Sequence, residues 1–160
     1  MKTLGLARRV RTFLFLPWSR KRMLVEGATA LVLAWWQVRY RQFRCYSANL
    51  GVAYDGEFID PSNIDAPRQT LIEVRWVLRA LNRMAKGKFT CLMLAMAGKR
   101  MLNRRGFANT LVLGVRPGKG QGDDPFGAHA WLRAGQYVVI GQEERAGHIP
   151  VASYHSAPRI

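Results

Sequence analysis

The apolar residues of this chain keep a helical period as far as Gly106 and a short-range, β-branched pattern after it. That single change of character restricts the fold to helices followed by strands, which is an α+β chain with its sheet late in the sequence. From Arg68 to Lys86 the apolar positions Leu71, Val74, Leu78, Leu81 and Met84 or Ala85 recur at three- and four-residue steps, and Gly87 stands where a helix stops. A further helix is expected from about Thr90 to Arg105, closed by Gly106. Its cations Lys99, Arg100, Arg104 and Arg105 gather at the carbonyl end, where they complement the helix dipole. Beyond it, "NTLVLGV", "AHAWLR" and "YVVIG" read as strands of an antiparallel sheet, the last two joined by a turn at Gly135–Gln136.

The N-terminal half is read in the same way. Leu24, Ala28, Leu31, Trp35 and Val38 predict one long amphipathic helix over 22–44, with one of Trp35 and Trp36 facing the core and the other a groove or partner. The stretch 49–67, rich in Gly, Pro, Asn and Asp, reads as a connector. A length of 160 residues is that of one domain. We therefore divide 1–160 into a helical preface (1–50), a connector (51–67) and a core (68–160).

The uncharged run Gly27–Val38 is too short for a membrane-spanning helix, which takes roughly 20 apolar residues. Pro17 and the basic residues after it interrupt what would otherwise look like a signal peptide, so no targeting segment is expected. Two cysteines without the spacing of a disulfide framework or a zinc knuckle point to a reducing, cytoplasmic compartment, with Cys45 read as a structural or buried thiol. The formal net charge of +15 draws such a chain towards nucleic acid, anionic lipid or an acidic partner. No aromatic-interleaved stripe or zinc finger marks a dedicated nucleic-acid reader, and none is expected. Weak contact with an anionic membrane is compatible with the charge.

Cys91 falls in the first turn of a predicted helix, where free N–H groups and the dipole favour a thiolate. A nucleophilic cysteine needs a base, and His129 is the one histidine on a predicted core strand. His148 and His155 lie in a tail read as solvated. Taken alone, a buried cysteine and a buried histidine are more often packing residues than a catalytic pair. Trp131, two residues after His129, shares its strand face and reads as core packing or as a wall of the site. The loop "RPGKGQGDDP" lacks the order of a phosphate-binding loop and reads as a mobile segment beside the site. Asp123 and Asp124 in it read as solvated, with no metal and no bound cofactor implied.

The order of these features, a cysteine helix "CLMLAMAGKRMLNRRGF", the strand "LVLGV" and then "FGAHAWLRAGQYVVIG", resembles the transglutaminase-like superfamily. Within it, these stretches together with "RKRMLVEGATALVLAWWQVRYRQFR" resemble the stand-alone leader peptidases of lasso-peptide biosynthesis. The resemblance implies a papain-like α+β core over 68–160, with Cys91 at a helix N-terminus against a small sheet carrying His129. It also implies a cysteine peptidase that frees a ribosomally made precursor from its leader, with a backbone N–H at the start of the cysteine helix as oxyanion donor. The partners implied are the precursor leader, a small leader-recognition protein supplied in trans, and a cyclase that spends ATP on the macrolactam. Hydrolysis itself would need no cofactor, and acyl transfer to an amine would pass through the same thioester. The complex would be cytoplasmic, with membrane association compatible.

The chain departs from the family at the residue that orients the histidine. An aspartate is expected on the next strand, where Ile140 and Gly141 stand. One hairpin register places Gln142 opposite His129, as the orienting amide of a Cys-His-Asn arrangement. Another points Ile140 at His129, and the third member stays open. Two further readings accompany the peptidase: a scaffold of the same fold that binds leader or cyclase without turnover, and a basic module for nucleic acid or membrane.

Overall fold

A computed structural model of the chain describes residues 17–60, 66–117 and 126–158. Helix α1 (Trp18–Tyr40) is followed by a short α2 (Phe43–Ser47), one 3₁₀ turn (Ala48–Leu50) and strand β1 (Val52–Asp55). Helices α3 (Arg68–Met84) and α4 (Cys91–Arg104) precede strands β2 (Asn109–Pro117), β3 (Phe126–Ala134), β4 (Tyr137–Ile140) and β5 (Ile149–Ser156). The five strands form one antiparallel sheet in the order β1-β5-β2-β3-β4. This is the expected α+β architecture, with helices before the sheet.

The main core lies between the sheet and α4, which packs against β3, β2 and β4. Leu78, Met101, Leu102, Leu111, Leu132 and Val139 are sealed there from solvent. Gly98 permits this approach: a Cβ on it would stand 2.7 Å from Leu132 Cδ2 and 3.2 Å from Leu78 Cδ1. Helix α1 packs on α4 and α3. A second, smaller cluster of Val112, Trp131 and Val138 marks the other face of the sheet. There the chain after β1 crosses back, with Phe58 N–H donating to Ser153 Oγ at 3.1 Å and the Phe58 ring 4.9 Å from that of His155.

The preface differs from its reading. The helix expected over 22–44 begins at Trp18, directly after Pro17, and breaks at Arg41 and Gln42, both extended. The break lets α2 turn Phe43 onto Tyr46 and Tyr154, at 5.3 and 5.9 Å between ring centroids. Its buried face holds the expected Leu31 together with Gly27, Ala30 and Ala34, while the expected Leu24 and Val38 are only partly buried against the core. Small side chains allow close helix contact, since a Cβ on Gly27 would lie 2.5 Å from Val77 Cγ1. The bulky residues face outward in consequence: Trp35 and Trp36 are both exposed, at 40% and 44%. Cys45, expected buried, is exposed as well.

Two strands lay hidden in segments read as irregular. The connector contains β1, a four-residue edge strand with every side chain exposed, so no hydropathy alternation betrays it. The tail contains β5, which sits between β1 and β2 rather than in solvent. Its buried side chains are Ser153 and His155, and a strand that alternates with polar residues inward hides from a hydrophobicity pattern. His155 is held by Thr110 Oγ1 on its Nδ1, at 3.0 Å, and by Asp60 3.6 Å from its Nε2. The N-terminal basic segment 1–16 and the loop segment 118–125, with Asp123 and Asp124, lie outside the described residues.

Candidate active site

Thr90 opens α4, its hydroxyl accepting from Met93 N–H at 3.4 Å, which caps one of the helix's free donors. Cys91 is therefore the first residue of the helix. Its thiol is half-buried. Burial by itself pushes the thiol up, and the neighbouring His129 ring with its charge, helped by the backbone N–H groups of Ala130 on β3 and Leu92 in the first helical turn, more than offsets it, leaving Cys91 below the ordinary thiol range. His129 moves the other way. The neighbouring Cys91 raises it, burial opposes, and the Gly141 carbonyl with the charges of Cys91 and Glu144 adds to the rise. The two shifts together favour a thiolate beside an imidazolium.

His129 is 5% exposed and is fixed from several sides. Its Nε2 lies 3.0 Å from the carbonyl oxygen of Gly141. A carbonyl only accepts, so Nε2 carries a proton, and Nδ1 is left as the nitrogen able to take the thiol proton. The ring stacks on Trp131 at 6.0 Å and 24°, and Trp131 is itself fully buried. Trp131 Nε1–H donates to Glu57 Oε1 at 3.1 Å, and Arg133 Nη1 donates to the same oxygen at 2.6 Å. Glu57, on the segment following β1, thus ties the floor beneath the histidine to the edge of the sheet.

The third member of the site is a backbone group. The turn at Gly135–Gln136 forms as expected, with Ala134 opposite Tyr137 and Arg133 opposite Val138. A bulge then inserts one residue, so Ile140 pairs with Leu132 and neither expected register is realised. Gln142 is exposed, and the polar atom on His129 Nε2 belongs to Gly141 instead. Gly141 has φ +86°, and a Cβ there would stand 2.9 Å from Ala130 O, 2.9 Å from Trp131 Cβ and 3.0 Å from His129 Nε2. Only glycine takes that conformation in that space.

Two residues near the ring escaped sequence reasoning. Glu144 brings Oε2 to 3.4 Å from His129 Nδ1 on a side chain that is 74% exposed. Its neighbour Glu143 is held by Arg75 at 3.0 Å and by Arg79 across the gap to α3, so the segment carrying Gly141 and Glu144 is pinned from a helix. His148, expected in solvent, lies half-buried with its ring 5.2 Å from that of His129, and its buried Nδ1 has no hydrogen-bond partner among the described residues. The only sequence signal for this group is the dense run of polar residues directly after a glycine-ended strand. Among the described residues no three His, Cys, Asp or Glu side chains converge as metal ligands.

A thiol at a helix N-terminus, beside an imidazole with one nitrogen fixed by a carbonyl, is equipped for nucleophilic attack on a carbonyl carbon. The family model of the transglutaminase-like superfamily matches residues 29–153. No curated protein and no solved structure matches the chain.

Proposed function

The chain belongs to the transglutaminase-like superfamily, and from that premise we propose that it is a cysteine peptidase, acting on the leader of a ribosomally made lasso-peptide precursor. The observation that carries the chemistry is His129 fixed by Gly141 O on one ring nitrogen, beside a Cys91 at a helix N-terminus whose thiol it pulls down. The substrate assignment rests on the likeness of the cysteine helix and histidine strand to stand-alone leader peptidases.

In this reading the Cys91 thiolate attacks the scissile carbonyl carbon, forming a C–S bond and an oxyanion. The N–H of Cys91, at the start of α4, would serve as donor to that oxyanion, where a fixed dipole is worth more than a water molecule. His129 passes its proton to the leaving amine as the C–N bond breaks, giving a thioester and a free amine. It then takes a proton from water, whose oxygen attacks the thioester and releases a carboxylic acid and the thiol. No cofactor enters these steps. A small leader-recognition protein in trans would present the precursor, and a partner cyclase would use ATP to close the ring on the freed core.

The test is incubation of the purified chain with a leader–core precursor and its recognition protein, followed by mass spectrometry. Cleavage at one bond, abolished in Cys91→Ala and His129→Ala, is the expected result. Undiminished cleavage in Cys91→Ala, or none in the wild type with the recognition protein present, overturns the proposal.

A further inference from the structure

Helix α1 is apolar on two faces, and the described part of the fold covers one of them. The covered face is Gly27, Ala30, Leu31 and Ala34. On the outer side Trp18, Val25, Val32, Trp36 and Tyr40 follow at steps of seven, seven, four and four residues, which brings them onto one stripe of a helix. Their exposures are 73%, 61%, 59%, 44% and 64%. The outer face of a helix docked on a globular protein is ordinarily polar, and a contiguous exposed apolar stripe marks a contact surface. At 1.5 Å per residue this stripe is about 33 Å long.

The charges on the stripe are of one sign. Arg22 falls in line with it, four residues after Trp18 and three before Val25. Lys21 and Arg39 stand at its edge, each three residues after a stripe tryptophan. The Arg41 guanidinium lies 4.9 Å over the Trp36 ring. Glu26, the one acid of α1, is drawn off the face: its carboxylate accepts from Arg105 at 2.9 and 2.7 Å and stands 3.6 Å from Arg104. Beside the stripe, α1 and α4 enclose a groove of about 570 Å³, to which α4 contributes Arg100 and Arg104. Among the described residues no helix is long and apolar enough to cross a membrane.

Apolar and aromatic side chains along one line, cations interleaved and no free acid, are the composition of a helix that lies flat in a headgroup layer. A protein partner would instead be met by an apolar centre with a polar rim of mixed charge. We propose that the outer face of α1 docks this protein on an anionic lipid surface, with the helix in the plane of the interface. The aromatic rings and valines enter the headgroup boundary, while Lys21, Arg22 and Arg39 reach the phosphates. Cys91, His129 and Gly141 lie on other elements, and the docking does not depend on the peptidase reading.

The experiment is co-sedimentation of the full chain with vesicles of phosphatidylglycerol and phosphatidylcholine, against vesicles of phosphatidylcholine alone. Binding to the mixed vesicles, absent from the neutral ones, is expected, with affinity falling at least about tenfold in Val32→Asp. Circular dichroism and the alkylation rate of Cys91 should be unchanged in that variant. Trp36→Ser, a milder change on the same stripe, repeats the test should Val32→Asp melt early. The proposal fails if the chain ignores anionic vesicles, or if it binds them equally with the stripe altered. A dimer that dissociates on Val32→Asp without vesicle binding would likewise overturn it and give the face to a second copy.

Discussion

The Nε2 of His129 stands 3.0 Å from the carbonyl oxygen of Gly141, so a main-chain group holds the imidazole, not the side chain of Ile140 or Gln142. The contact depends on the left-handed backbone of Gly141, φ +86°, and on the absence of a Cβ in that space. Gly141→Ala should therefore cost about 1–3 kcal/mol of stability from strain. It should also lower the rate of Cys91 alkylation near neutral pH by about tenfold, because the added methyl displaces the ring that raises the thiolate population. Urea melts and a pH series of alkylation rates separate the two effects. Unchanged alkylation in a folded Gly141→Ala would show that the carbonyl does not position the ring.

Glu144 holds a carboxylate 3.4 Å from His129 Nδ1. Its charge raises His129, and the imidazolium that it favours is what keeps the thiolate paired at higher pH. Glu144→Gln should move the alkaline limb of a pH profile to lower pH and leave the acid limb, set by Cys91, nearly in place. Since the side chain is exposed, high salt should mimic much of the substitution in the wild type. An alkaline limb that stays put in Glu144→Gln would remove the carboxylate from the account.

Glu57 accepts from both Trp131 Nε1 and Arg133 Nη1, and the Arg133 side chain is 5% exposed. Removing the carboxylate strands a buried guanidinium, at a cost of about 3 kcal/mol or more. Glu57→Ala should show this as a lowered denaturation midpoint. Arg133→Met in the same background should recover part of the loss, as a double-mutant cycle would measure.

Lys99 is buried on α4, and burial pushes it down to about 7. Its Nζ nonetheless donates to Asn109 O, Asn109 Oδ1 and Tyr154 O at 3.3, 3.0 and 3.0 Å, and three acceptors suit an ammonium. With the folded value below that of a free lysine, the unfolded chain binds more protons between about 7 and 10, and stability rises with pH across that window. Lys99→Met should lose that slope. At pH 7 it should be less stable by about 1–3 kcal/mol, from carbonyls left without a donor. Chemical denaturation of both proteins at pH 7 and pH 9 provides the comparison.

What could be read in the sequence followed the strength of the local signal. Helices α3 and α4 lie within a residue or two of their expected bounds, because each combines an apolar period with a glycine stop. Strands β2 and β4 announce themselves through β-branched runs, and β3 lies between turn signals as a short run around Trp131 and Leu132. Strand β1 escapes because it is four residues long and wholly exposed, and β5 because its inward residues are Ser153 and His155. The inward face of α1 is legible only in part: Leu31 stands on it as expected, whereas Gly27, Ala30 and Ala34 share it and carry no strong apolar signal. The orienting group escaped for a different reason: a backbone carbonyl has no sequence letter, and the bulge at Leu132 that delivers it shifts the hairpin by one residue.

The most direct test of the account is the alkylation of Cys91 by iodoacetamide between pH 4 and 10, with each modified cysteine located by mass spectrometry. The exposed Cys45 in the same chain serves as an internal control for access of the reagent. The account predicts that Cys91 reacts at a nearly constant rate well below the pH of about 8.5 at which a free thiol becomes reactive, and that His129→Ala removes this advantage. A Cys91 that titrates like a free thiol, or that stays inert while Cys45 reacts, would contradict it.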